Sequence, residues 1–364
     1  MKTLFLGDVS THYESKELFR REEVDTLFTD VPTIMRGNDF VFANLETAVT
    51  ESTEEIKKFG PPISAPKQTV KILKELGVDL CGLSNNHTFD FGVKGIKDTF
   101  DALHEYGMDY TGWGNNYEDS RKDYIIRKNG EKIAIITVCE HEYSYALDNR
   151  MGARPFDEFD TMEDICDAKA TADRVIVIYH GGKEYCRYPS PRLVRVCRAM
   201  ARCGADMVLC QHSHCIGSYE EYNGCHILYG QGNFHFICKT HNNPGWFTGL
   251  AVKYDTVTHE IEFIPTREVG DGITLAKGED KEEIMAAFAK RNEEMKTGEW
   301  KQGWHEFCMG MKDFYITKIG EAFAPGSTQE QDDVFGHFLD CEAHTDVWRE
   351  LCKTWNHTNC LDEK

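Results

Sequence analysis

A layered α/β fold is predicted by three features of this 364-residue sequence. Short apolar runs of strand length alternate with amphipathic stretches of helical period through the first two thirds, the order that lays helices against sheet. Gly77, Gly107 and Gly204 each follow a helical stretch, where a left-handed residue ends a helix. Six of the apolar runs end in carboxylate, imidazole or amide side chains, several of them beside glycine.

The elements follow in order. Residues 3–7, 40–44 and 80–84 are apolar runs that turn polar at once, and each reads as a buried strand. Asn129-Gly130 joins strands at 124–127 and 132–138, because that dipeptide favours a two-residue hairpin turn. The hairpin makes the sheet content mixed. Runs rich in β-branched residues and leucine follow at 174–179, 207–211, 226–229, 249–254 and 261–265. Helical patterns lie between them at 67–76, 92–105, 162–172 and 190–203. After about residue 270 the character changes. A charged helical stretch at 279–296 and another at 332–356 flank a loop at Pro325-Gly326-Ser327-Thr328. This last quarter shows neither strand signals nor a dense polar cluster. Residues 1–270 are therefore expected to form the site-bearing domain, and 271–364 a helical C-terminal extension packed on it.

Composition narrows the class of function. A hydrophobic fraction of 41% with 12% aromatics supports a real core and rules out a disordered chain. The formal charge of −20 repels phosphate backbones and anionic headgroups, so nucleic acid is not an expected partner. No run approaches the roughly 18 apolar residues of a membrane span, so membrane insertion is not expected either. The opening Met1-Lys2-Thr3-Leu4-Phe5-Leu6-Gly7-Asp8 turns polar too soon for a secretory leader, which leads to an expected cytoplasmic location. The 14 cysteines include no CxxC pair, and many lie in apolar runs, so reduced thiols are expected.

The chemistry concentrates at strand ends. The runs finish in Gly7-Asp8, Asn44-Leu45-Glu46, Ser84-Asn85-Asn86-His87, His180-Gly181-Gly182, Gln211-His212-Ser213-His214 and Gly230-Gln231-Gly232-Asn233. In α/β folds, groups at the carboxyl ends of strands converge. Carboxylate, imidazole and amide ligands suit Mn, Zn or Fe, and a carboxylate can bridge two ions roughly 3.5–4 Å apart. His212 and His214 share one side of an extended segment, but in a turn they diverge toward two ions. Each group also has an ordinary reading: Asp8 as a helix cap, Glu46 as a solvated turn residue, Asn86-His87 and His180 as loop residues. Joint occurrence favours metal. His141 and His235 reach the same cleft or belong to solvated loops. Lys183, Tyr185 and Arg187 either meet an anionic substrate or start a solvated helix.

The ordered motifs, with Asp90 and Gly92 after His87, Glu184-Tyr185 after His180, and Gly232-Asn233-Phe234, make the sequence resemble the capsule-synthesis CapA family. That family is associated with poly-γ-glutamate capsule production, and its fold is similar to the calcineurin-like metallophosphoesterases. The resemblance covers about residues 1–265. It implies a four-layer α/β/β/α sandwich of two mixed sheets and a centre holding two divalent ions. Asp8 would open that centre on one ion, with Glu46 in the bridging place. Asn86 would supply a metal-binding amide, His180 and His212 would serve the second ion, and His214 the first. His87 would be the leaving-group acid, oriented by Asp90. Asn44, Asn85, Glu184 and Asn233 would bind substrate. This chain also departs from the wider pattern, with Ser10 at an expected histidine, Asn44-Leu45-Glu46 for Gly-Asp, and Asn85 and Gln211 for glycines. One ion site is therefore expected to be weaker or differently coordinated.

The implied function is metal-dependent hydrolysis of a phosphoester or related anionic bond, on a small anionic or a polymeric substrate. The rival is a non-catalytic accessory or scaffold in poly-γ-glutamate synthesis or export. Peptide-bond hydrolysis on γ-glutamyl chains is a third reading.

Overall fold

The computed structural model describes residues 1–11, 13–140 and 143–352. His141 and Glu142, residues 353–356 of the last expected helical stretch, and Cys360 lie outside the described residues.

Among the described residues, fourteen strands build two main sheets. In chain order they are β1 (Lys2–Ser10), β2 (Phe40–Leu45), β3 (Leu80–Gly82), β4 (Asp109–Thr111), β5 (Tyr124–Lys128), β6 (Glu131–Cys139) and β7 (Arg174–His180). Then come β8 (Met207–Gln211), β9 (Tyr219–Tyr222), β10 (Cys225–Leu228), β11 (Asn233–Phe236), β12 (Thr248–Asp255), β13 (Ile261–Val269) and β14 (Gly272–Leu275). The first sheet runs β14-β13-β12-β1-β2-β3-β4, with β11 also paired to β1. The second runs β9-β10-β8-β7-β6-β5. Both are mixed: β1 to β4 pair in parallel, as do β6, β7, β8 and β10, while the outer strands are antiparallel.

Alternation along each strand explains why the sheets stack. Phe5, Phe42 and Leu80 of the first sheet face Ile133, Ile135, Ile176, Ile178, Met207 and Leu209 of the second in one shared core. The intervening Leu4, Leu6, Val41, Ala43 and Cys81 point the other way. They pack on α1 (Gln68–Glu75) and α2 (Gly92–Glu105). On the far side, Ala134, Ile136, Val175, Val177 and Val208 pack on α3 (Asp160–Thr171) and α4 (Pro191–Cys203). Period-2 strands buried on both faces thus give the four layers α/β/β/α. Each fully buried Leu, Ile or Phe contributes about 1.5–3 kcal/mol.

The extension comprises α5 (Gly278–Thr297), α6 (Trp300–Ala322), α7 (Gln329–Asp340) and α8 (Glu342–Leu351). Phe288 of α5 enters the core between the sheets, and Met295 packs on the outer core of the second sheet. Trp304, Cys308, Tyr315, Phe338 and Val347 form a separate core that also takes in Cys186. Thr328 caps α7 in a reciprocal capping box with Gln331, so the expected loop ends in a helix start.

Three expectations need correction. The strand β14 lies past residue 270, because its edge pairing with β13 rescues a four-residue run with little signal of its own. The helical stretch from 332 is two helices broken at Cys341, whose extended ψ of 119° redirects the chain. The last quarter does hold a dense polar cluster, formed by His337, Cys341 and His344. The 13 described cysteines are free thiols. Among the described residues, no helix is long and apolar enough to cross a membrane.

Candidate metal centre

The parallel strands deliver the chemistry to one edge of the sandwich. Asp8 is in register with Asn44 on β2 and with Asn233 on β11, and His180 is in register with Gln211. Asn233 opens β11 rather than ending β10, because the chain crosses from the second sheet to the first at Gly230–Gly232. That crossing needs Gly7. A Cβ there would lie 2.3 Å from the carbonyl oxygen of Gly232.

Asp8 and Glu46 are both fully buried. Asp8 accepts hydrogen bonds from Asn44 Nδ2 (2.8 Å) and from the backbone N–H of His212 (3.0 Å). Neither oxygen of Glu46 accepts a hydrogen bond from a described residue. His180 Nε2 lies 3.4 Å and His214 Nε2 3.8 Å from Glu46 Oε1. Burial, reinforced by Glu46, pushes the Asp8 carboxyl up to about 6. Burial likewise raises Glu46 and lowers His180 to about 4. Burial lowers His214 too, but Glu46, Asp8 and Glu184 outweigh it and raise that imidazole above its ordinary value. Two carboxylates are thus enclosed with one imidazole that burial keeps neutral and one that their own charge makes more basic.

The imidazoles are held by amides. Asn44 Nδ2 also meets His180 Nδ1 at 3.1 Å, and Asn86 Oδ1 accepts from His180 Nε2 at 2.8 Å. Asn233 Oδ1 accepts from His214 Nδ1 (2.9 Å), while its Nδ2 donates to the Trp246 carbonyl (3.0 Å). That leaves His214 Nε2 facing Glu46, the arrangement of a ligand oriented through its other nitrogen. His212 and His214 both adopt positive φ, 78° and 51°, which turns both rings toward the carboxylates. Such backbone costs on the order of 1–3 kcal/mol per residue and persists where function requires it.

The expected ligands converge. Asp8, Glu46 and His180 form one group, and Glu46, His212 and His214 another; within each group the ligand atoms lie within 4.8 Å of one another. His180 therefore groups with Asp8, not with His212 as expected. Asn86 joins through His180. Ser10, at the expected histidine, is buried.

Three of the four expected substrate groups do other work. Asn85 donates to Asn44 Oδ1 and the Leu45 carbonyl, and its Oδ1 accepts from the N–H of His87 and Thr88. With Asn44 and Asn233, it spends its amide on holding ligands and turns. Glu184 bonds to none of these ligands. It is half-buried beside Lys183 and within electrostatic reach of His214 and His87.

His87 Nδ1 meets Asp90 Oδ2 at 2.7 Å, as the sequence suggested. The sequence reading missed Lys58, whose Nζ donates to Asp90 Oδ1 (2.5 Å) and to the Asn86 carbonyl (2.9 Å). Burial, then Lys58, lowers His87. Burial pushes Asp90 up, but His87 and Lys58 outweigh it and hold the carboxyl below its ordinary value. Trp246 was also missed; its ring lies 4.7 Å from that of His214. His235 faces Phe19 and Phe28 instead of the cleft.

Residues 2–237 match the family model described as bacterial capsule synthesis protein PGA_cap. The chain is 32% identical over 250 residues to the capsule biosynthesis protein CapA of Bacillus anthracis, covering 66% of this chain and 59% of that protein. It is 32% identical over 251 residues to the PGA biosynthesis protein CapA of Bacillus subtilis, covering 66% and 63%. The chain thus spans about three fifths of the length of these relatives. A putative 5'-nucleotidase structure from Staphylococcus aureus aligns with a TM-score of 0.45 and 12% identity, over 80% of this chain and 58% of that one.

Proposed function

Since the chain belongs to the bacterial capsule synthesis family PGA_cap, we propose that it is a metal-dependent hydrolase of a phosphoester or related anionic bond, linked to poly-γ-glutamate capsule metabolism. One observation carries this reading. Glu46 is buried between His180 and His214 with two oxygens that accept no hydrogen bond from a described residue. A buried, unneutralised carboxylate costs several kcal/mol unless a cation joins it. The oxygen and imidazole donor set fits Mn, Zn or Fe.

Asp8, Glu46, Asn86, His180, His212 and His214 would hold two such ions. Bound divalent ions supply Lewis acidity toward an anionic oxygen and lower the pKa of water. The rest falls to the chain. Asn44, Asn85 and Asn233 fix the ligand rings, and the burial of these groups excludes bulk water. His87 would take up a proton when a substrate anion arrives and pass it from Nε2 to the departing oxygen, while Asp90 fixes the ring through Nδ1. Lys58 and burial keep that ring weakly basic until a substrate anion arrives beside it. Glu184, beside Lys183 and within electrostatic reach of His87 and His214, would contact the substrate.

The accessory reading draws on Ser10, which removes one imidazole that the wider metallophosphoesterase pattern supplies. A screen of phosphomonoesters, phosphodiesters and γ-glutamyl peptides, with Mn²⁺ and with chelator, tests both. Turnover that chelator abolishes and Mn²⁺ restores supports the hydrolase. A metal-loaded protein that hydrolyses none of them supports the accessory role.

A further inference from the structure

We propose that His337, Cys341 and His344 form a second, separate site for a zinc-type divalent cation, in the helical extension. Their ligand atoms lie within 4.8 Å of one another. The three are 7%, 1% and 6% exposed. His337 and Cys341 are one helical turn apart, and the chain then breaks at Cys341 so that His344, in the first turn of α8, comes back onto them. The His337 and His344 rings stand 4.9 Å apart at 69°.

The three polar heads enter a core of Tyr315, Phe338, Val347 and Trp304. Tyr315 Oη lies 2.5 Å from His344 Nδ1, the contact that orients a ligand ring through its other nitrogen. A thiolate with two imidazoles is a zinc-type donor set, and three protein ligands leave a fourth position for water or another group. The main centre has no thiolate, so the two sites differ in chemistry.

The position suggests what the ion does. The ring of His337 stacks on Phe59 at 5.1 Å, next to Lys58 of the His87–Asp90 group. His337 also lies within electrostatic reach of Glu184. An ion that fixes the α7–α8 corner thereby fixes one wall of the catalytic cleft.

Cobalt(II) titration of the metal-free full chain tests the site, because only thiolate ligation gives an intense near-ultraviolet charge-transfer band. The wild type should show that band with the intensity of one thiolate-bound cobalt per chain, and zinc should displace it. Cys341→Ser should abolish it, whereas Cys308→Ser should keep it. Glu46→Ala, which damages the main centre, should also keep it, so this site stands whether or not the hydrolase reading does. A cobalt-loaded wild type without the band would overturn the proposal and requires no variant to fold. Persistence of the band in Cys341→Ser would overturn it too.

Discussion

Two buried glutamates follow central strands of the two sheets, and the chain treats them differently. Glu140, just after β6, is 1% exposed and Glu46, just after β2, is 0% exposed. Glu140 is ion-paired with Arg192 and accepts the Gly182 N–H at 2.6 Å. Arg192 continues to Asp346 at 2.9 Å, which ties α4 to α8. A Cβ at position 181 would lie 2.3 Å from Glu140 Oε2, so Gly181 lets the backbone close on this carboxylate. Glu46 receives no such attention. Its nearest cationic candidates are imidazoles at 3.4 and 3.8 Å, and Asp8 adds a second buried acid. At Glu140 the chain builds its own counter-ion; at Glu46 a bound cation is the proposed one.

The largest effect that can break this contrast is loss of a ligand. His212→Ala should remove bound metal and hydrolysis together, read by elemental analysis and turnover on one preparation. His87→Ala should lower turnover of alkyl phosphoesters by about 10²–10⁴-fold with metal content unchanged. The loss should shrink on p-nitrophenyl esters, which need little protonation of the leaving group. Equal losses on both would remove the acid assignment.

Stability sharpens the comparison next. Arg192→Leu strands Glu140 and Asp346 and should cost about 3–5 kcal/mol in urea unfolding. Glu46→Gln should do the reverse, stabilising the metal-free protein by about 1–3 kcal/mol, because it removes a buried charge whose oxygens accept no hydrogen bond from a described residue. A loss of stability in metal-free Glu46→Gln would mean that the chain already satisfies this group.

The smallest effect is in pH dependence. The Asp8 carboxyl, raised from 3.8 to about 6 by burial and Glu46, binds protons more tightly in the folded state. Its stabilisation is present below 3.8 and is lost as pH rises through about 6. His180, lowered from 6.5 to about 4 by burial, contributes stability above 6.5 that is lost as pH falls through about 4. The two slopes oppose each other. Relative to wild type, metal-free Asp8→Asn should therefore gain stability between pH 4 and 6.5, by about 2–3 kcal/mol. Urea midpoints at both ends of that range check it.

Much of the centre was legible in the sequence, because ligand-type side chains stand at the ends of apolar runs and parallel strands bring those ends together. What pairing alone determines was not. The short runs 219–222, 233–236 and 272–275 carry little strand signal and form strands through their neighbours. Trp300–Ala322 was missed as a helix because its apolar residues are spread around the axis and interrupted by Gly303, Gly310 and Gly320. Lys58 sits in the charged run Glu54-Glu55-Ile56-Lys57-Lys58, which reads as solvated surface, yet its side chain is 3% exposed. The hydrogen bonds that Asn44, Asn85 and Asn233 make within the site were not legible for a related reason. An amide beside a ligand looks the same in sequence whether it faces substrate or the ligand itself.

Calorimetric titration of metal-free protein with Mn²⁺ tests the central claim most directly, in the Cys341→Ser background so that only the catalytic edge is counted. Two ions should bind there, and Glu46→Ala should eliminate both, since Glu46 belongs to both ligand groups. Absence of binding, or binding that Glu46→Ala leaves intact, would contradict the account.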